Sequence, residues 1–241
     1  MVGWLHEIFA SIQGEGLYCG QRQTFVRFAG CNLACDYCDT PAARENQPPV
    51  CLVERLPASG IIEEIANPVD VEQVISYCRE LGSGVVSITG GEPLLQVDFL
   101  EHLMYSLKNE SFVTHLETNG TLYRELASVV KWVDVIAMDM KLASAAGDGC
   151  HWEDHLQFLE IASATDVFVK VVVSAKTTEE EIEQCRDLIA PIDRCIPLVL
   201  QPVSGLEPVP GELLMRLEET AASQLADVRV IPQCHKVLGV R

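Results

Sequence analysis

Short apolar, β-branched runs recur along this chain with helical periods between them, and that alternation constrains the fold more than any other feature. Runs at residues 25–28, 85–88, 113–116, 133–137, 167–173 and 196–200 read as strands. Between them Val71, Val74, Ile75, Cys78 and Leu81 keep a helical period, as do Val97, Leu100, Leu103, Met104 and Leu107. Further helical patterns cover residues 122–129, 152–161 and 182–189, and a last one passes through Leu213, Leu214, Leu217 and Leu225. Strand and helix alternating at this pitch imply parallel strands joined by crossover helices. Six such strands suit a partial, open (βα)₆ barrel of the α/β class, TIM-like but not closed. Strand-like pieces at 4–9 and 228–231 flank it. With 241 residues, 48% of them hydrophobic, the chain reads as one domain over residues 1–241. Residues 41–70 carry prolines at 41, 48, 49, 57 and 68 among acidic side chains, and read as an irregular insertion.

Composition narrows the partners. The 35 acidic and 17 basic side chains give a formal net charge of −18, which disfavours nucleic acid and anionic membranes, since either calls for a basic surface. No apolar run approaches the ~20 residues that span a bilayer. Residues 1–10 lack a basic start and carry Glu7, so they do not read as a signal peptide. Ten cysteines without a pairing pattern fit free thiols in a reducing cytoplasm better than a disulfide framework. Cys78 and Cys185 fall on apolar helical faces, where a thiol behaves as a small hydrophobe.

In α/β barrels, ligands sit at the carboxyl ends of the strands, and the polar clusters of this chain fall there. The first strand leads into Cys31-Asn32-Leu33-Ala34-Cys35-Asp36-Tyr37-Cys38, and the second into Thr89-Gly90-Gly91-Glu92-Pro93. Glu117-Thr118-Asn119-Gly120 follows the third and Asp139-Met140-Lys141 the fourth. Ser174 ends the fifth, and Gln201-Pro202-Val203-Ser204 ends the sixth. Three thiolates at a three-then-two spacing can hold three corners of a [4Fe–4S] cube and leave one iron open to a ligand. The rival is a structural zinc site with Cys51 or a histidine as fourth ligand, but zinc ligands usually come as two short pairs, and no second pair is visible. Asn32, Asp36 and Asp39 make the loop too polar for ordinary buried thiols.

Each remaining group has a bland reading beside the functional one. Gly90-Gly91 makes a tight βα turn, and also lets backbone approach a ligand closely. Tyr37 packs the loop or offers a ring to an adenine. Ser11-Ile12-Gln13-Gly14-Glu15-Gly16 is a glycine turn with solvated polar groups, or a pocket wall. Arg27, among apolar neighbours, needs an anion or several acceptors; it pairs with Glu15 or Glu117, or grips a substrate carboxylate. Thr40 caps a turn or ligates Mg²⁺, which keeps several waters and borrows substrate oxygens. His235 is a pocket residue or a surface histidine, and the surface reading weighs more.

Taken together, Ser11–Gly16, Arg27, the cysteine triplet, Cys38-Asp39-Thr40, Thr89–Pro93, Glu117–Gly120, Gln201-Pro202 and Gln233-x-His235-Lys236 resemble the 7-carboxy-7-deazaguanine synthases of the radical S-adenosylmethionine (SAM) superfamily. The resemblance runs from about residue 5 to the C-terminus and is weakest over 41–70. It implies a radical SAM barrel and a lyase that converts 6-carboxy-5,6,7,8-tetrahydropterin to 7-carboxy-7-deazaguanine and ammonia in the queuosine-precursor pathway. It further implies a [4Fe–4S] cluster on Cys31, Cys35 and Cys38, with SAM, and Mg²⁺ at Thr40. Tyr37, Cys38, Asp39 and Gly91 are implied SAM contacts. Ile12, Gln13, Gly14, Arg27 and Thr89 are implied substrate contacts, with Glu117 and His235 as further pocket residues. A homodimer and a reducing donor such as flavodoxin or ferredoxin are implied as partners. Where the family often carries Ser-Pro-Lys, this chain has Asp139, Met140 and Lys141. That triplet is closer to the glycyl-radical activating enzymes, which are the alternative activity, and it too is a candidate SAM contact. A zinc-stabilised, non-catalytic binding module is the third reading.

Overall fold

A computed structural model describes residues 1–147, 151–205 and 207–241. In chain order the strands are β1 (Val2–Gly3), β2 (Leu5–Ile12), β3 (Arg22–Phe28), β4 (Val50–Val53), β5 (Glu63–Ala66), β6 (Val69–Asp70), β7 (Val85–Gly90), β8 (Val113–Thr118), β9 (Val135–Met140), β10 (Asp166–Val173), β11 (Leu198–Pro202) and β12 (Val228–Val230). The helices are α1 (Val71–Leu81), α2 (Val97–Asn109), α3 (Tyr123–Val129), α4 (Ala143–Ala146), α5 (Trp152–Ala162), α6 (Glu179–Ile189), α7 (Gly211–Ala222) and α8 (Cys234–Leu238).

Ten strands form one sheet in the order β12-β11-β10-β9-β8-β7-β3-β2-β4-β5. The six expected strands, β3 and β7 to β11, are its parallel centre. The two expected flanking pieces lie on either side: β12 runs parallel to β11, and β2 antiparallel to β3. Among the described residues no pairing joins β12 to β5, so the barrel stays open.

Residues 41–70 are not irregular. They hold β4, parallel to β2, and β5, antiparallel to β4, which together extend the sheet by a hairpin. The prolines lie outside these two strands, where no ladder donor is lost. Cys51 and Val53 alternate inward and are fully buried.

Helix ends are set locally. Asp70 and Gln73 form a reciprocal capping box at the start of α1, which Gly82 ends in the left-handed conformation. Thr178 and Glu181 do the same for α6. The larger apolar core fills the space between sheet and helices, with Leu100, Leu103, Ile136, Phe158 and Leu198 fully buried. A smaller cluster of Val135, Ala137, Phe168 and Val199 lies inside the barrel, with Tyr18 and Ile231 packed against it. Among the described residues no helix is long and apolar enough to cross a membrane.

Because β8, β9 and β11 end later than expected, Glu117, Asp139, Met140 and Gln201 lie within strands rather than after them. Their facing is therefore fixed by the pleat: Ala137 and Asp139 line the barrel cavity, whereas Met140 is fully buried in the outer core.

Candidate active site

A cup lined by Cys31, Gly91, Glu117, Asp139 and Gln201 opens at the carboxyl ends of the strands.

One wall is the cysteine loop that follows β3. The half-buried Cys31, Cys35 and Cys38 all line the cup. The loop is held by its backbone. Gly30 donates to the Ala43 carbonyl at 2.7 Å, Asp36 to the Ala146 carbonyl at 3.0 Å, and Arg44 to the Cys35 carbonyl at 2.5 Å. Burial raises the Cys31 and Cys35 thiols, against the Leu33 N–H at Cys31 and the nearby Lys141 ammonium. A cationic cluster binding at these sulfurs reverses that balance and makes them thiolates. Among the described residues the set of three ligand atoms within 4.8 Å of one another is Glu15, Asp39 and His235.

The adjoining floor is Gly90-Gly91. A Cβ at Gly91 would lie 1.9 Å from the Gly30 carbonyl oxygen. Gly90 has φ +142°, and its Cβ would fall 2.4 Å from the Phe28 oxygen. Two backbones thus pass where no side chain fits. Glu92 is fully buried behind them and accepts from Leu94 N at 3.1 Å, Thr118 Oγ1 at 2.9 Å and Asn119 N at 2.8 Å. Burial pushes its carboxyl up to about 7 against those three bonds. It ties the glycine turn to the end of β8.

A charged cluster crosses the cup. Lys141 Nζ lies 2.9 Å from Asp139 Oδ2 and 5.1 Å from the Tyr37 ring centroid. Lys170 on β10 pairs with Glu15, and with Asp139 at 3.2 Å. Gln233 donates to Glu15 at 2.6 Å and to Asp39 at 3.3 Å. Against burial, Lys170 and its hydrogen-bonding neighbours hold Glu15 down to about 2. Burial likewise opposes ionisation of Asp139, but Lys141 and Lys170 keep its carboxyl low. Both lysines are raised by these carboxylates in spite of their own desolvation. Tyr37 Oη, Asp139 Oδ1 and Gln201 Oε1 are buried without a hydrogen-bond partner among the described residues, which suits a cup whose polar ligand completes the bonding.

The facing wall carries Glu117. It accepts from Gln13 at 2.7 Å, Ser87 at 3.0 Å and Thr89 at 2.8 Å. Ile12 and Gly14 line the same wall. Arg27 reaches the cup, but its partner is Glu7, at 2.7 Å, not Glu15 or Glu117. Glu7 and Arg27 are register partners across the antiparallel pair β2–β3, a relation that only the sheet reveals. His235 is not a surface histidine. It lines the cup, half-buried, and packs so tightly on Gly14 that a Cβ there would lie 2.3 Å from its Nδ1. Thr40 lies at the rim, with Oγ1 donating to Asp39 Oδ1 at 3.1 Å.

The structure thus gathers every expected site residue around one cup except Met140, whose side chain faces away. Sequence reasoning missed Lys170 and gave Glu92 no role of its own. Lys170 had a signal: one lysine inside the apolar run 167–173, at the same parity as Phe168 and Val172.

Known proteins resemble this chain in sequence and in fold. Residues 25–189 match the Radical SAM superfamily. A 7-carboxy-7-deazaguanine synthase of Geobacter sulfurreducens is 42% identical, covering 98% of this chain and 96% of the relative. Another, from Methanopyrus kandleri, is 38% identical over 97% of this chain and 92% of its own length. The crystal structure of QueE from Escherichia coli superposes with a TM-score of 0.65 at 22% identity, covering 98% and 95% of the two chains.

Proposed function

The chain belongs to the radical SAM superfamily and, within it, to the 7-carboxy-7-deazaguanine synthases, and on that premise we propose how the cup divides among cluster, SAM and substrate. It is a radical SAM lyase of deazapurine biosynthesis. Membership along the full length closes the glycyl-radical activating alternative that Asp139-Met140-Lys141 had suggested. The substrate assigned to it is 6-carboxy-5,6,7,8-tetrahydropterin, which leaves as 7-carboxy-7-deazaguanine and ammonia.

Cys31, Cys35 and Cys38 hold the [4Fe–4S] cluster. When bound and reduced, cluster and SAM supply the 5′-deoxyadenosyl radical that starts the reaction. Tyr37, Cys38, Asp39 and Gly91 contact SAM, supported by the side-chain-free surface at Gly91 and the unpartnered Tyr37 hydroxyl. Asp139 and Lys141 border SAM through their charges, while Met140 offers only backbone.

Ile12, Gln13, Gly14, Arg27 and Thr89 hold the pterin. Glu117, already oriented by three donors, is suited to accept N–H groups from the heterocycle edge. Arg27 is suited to its carboxylate. Thr40 ligates Mg²⁺ beside that carboxylate, with water and substrate oxygens completing the shell. His235, Asp39 and Gln233 roof the site and exclude water. By family resemblance the reading extends to a homodimer reduced by a flavodoxin- or ferredoxin-type donor, and the free thiols support a reducing cytoplasm.

The observation that carries the assignment is the shared cup: three cysteines on one wall, and Gln13, Thr89, Glu117 and Arg27 on the other. Reduced, reconstituted protein with SAM, Mg²⁺ and the carboxypterin is expected to form 7-carboxy-7-deazaguanine. Abundant 5′-deoxyadenosine without deazapurine overturns the substrate assignment. Turnover unchanged by magnesium removal overturns the Thr40 site.

A further inference from the structure

Arg27 enters the cup with only part of its guanidinium engaged. Its Nε donates to Glu7 Oε1 at 2.7 Å, and no described residue takes Nη1 or Nη2. The second oxygen of Glu7 accepts from Arg241 Nη2. Arg241 also lies 3.4 Å from Glu54 Oε2, and its guanidinium carbon sits 4.5 Å from the Phe9 ring centroid. The arm that carries Arg241 is pinned elsewhere too. Cys234 N donates to the Gly14 carbonyl at 2.8 Å, and Ser11 Oγ to the Arg241 carbonyl at 2.7 Å. One carboxylate, its side chain only 8% exposed, therefore joins the strand bearing Arg27 to the arm bearing Gln233 and His235.

We propose that Glu7 is a positioning residue with two linked tasks: it sets Arg27 so that the Nη1/Nη2 edge meets the substrate carboxylate, and it latches residues 234–241 over the cup. This rests on the assignment of Arg27 to that carboxylate. An arginine side chain carries about 2 kcal/mol of rotamer entropy, and fixing Nε beforehand removes much of that cost from substrate binding. The second task follows from charge. Without the Glu7 carboxylate, Arg27 has no ion-pair partner among the described residues and Arg241 keeps only Glu54, at 3.4 Å.

The test compares wild type, Glu7→Gln and Arg241→Gln as holoenzymes. Glu7→Gln is expected to raise KM for the carboxypterin about tenfold, with kcat and KM for SAM within twofold. Arg241→Gln, which leaves the Arg27–Glu7 pair in place, raises it about threefold by freeing the arm. Hydrogen exchange needs no turnover, and it should quicken over residues 234–241 in both variants. If the wild type converts the carboxypterin but Glu7→Gln leaves its KM unchanged, the positioning of Arg27 is overturned. Unchanged exchange in the arm overturns the latch. A wild type that makes no deazapurine overturns the substrate assignment instead, and the exchange measurement still decides the latch.

Discussion

Replacing Glu92 by glutamine tests how the glycine turn and the end of β8 are held together. Glu92 Oε1 takes two donors, Leu94 N and Thr118 Oγ1, and Oε2 takes Asn119 N. A glutamine can keep its oxygen at the first position, but its NH₂ then faces the Asn119 N–H. A protonated carboxyl retains a lone pair for that donor, whereas an amide nitrogen has none, and a buried unmet donor costs about 1–3 kcal/mol. The wild type carries a second, pH-dependent term. Burial raises the Glu92 carboxyl from an ordinary 4.5 to about 7. The folded state therefore binds its proton more tightly than the unfolded chain. The stability this confers is complete below pH 4.5 and is lost as pH rises through 7. Two and a half pKa units correspond to about 3 kcal/mol. The variant has no such term. Urea unfolding of anaerobic, cluster-free protein, followed by circular dichroism, should show Glu92→Gln less stable by about 2 kcal/mol at pH 5. By pH 8.5 the gap should close or invert. A gap independent of pH, or one that widens in alkali, refutes the reasoning.

Other outcomes are as definite. Alanine at Cys31, Cys35 or Cys38 should each remove the iron–sulfur chromophore and turnover together, and a variant that keeps both would contradict the three-ligand reading. Gly91→Ala should weaken SAM binding more than tenfold by calorimetry, because its Cβ overlaps the Gly30 carbonyl; affinity within twofold of wild type contradicts it. Lys170→Met should cost about 3–5 kcal/mol by leaving Glu15 and Asp139 short of a counter-charge. In the wild type the Glu15 pairing stabilises above pH 4.5 and is lost as pH falls through about 2. The acid limb of unfolding should therefore move to higher pH in the variant, and an unmoved limb would show that Lys170 does not hold Glu15 ionised.

The six central strands were legible because a parallel strand covered on both faces leaves a continuous apolar run. The hairpin β4–β5 was not, since a four-residue strand between prolines is too short to display its alternation. The cysteine loop and Gly90-Gly91 could be read from spacing, because backbone and thiolate chemistry are local. The partner of Arg27 could not, since it depends on the register of β2 against β3. His235 was misjudged for a similar reason: what buries it is Gly14, far away in sequence. Met140 shows the opposite limit. It sits beside two cup-lining charges, yet the pleat turns it into the core.

The roof of the cup comes from residues 232–241, while the cysteine loop lies near the start of the chain. About 200 residues are synthesised between the two, which at ~5–20 residues per second takes roughly 10–40 s on the ribosome. Throughout that interval the arm is not there to cover the thiols. A delivery protein or an oxidant that meets the nascent chain in that interval does not have to pass the arm.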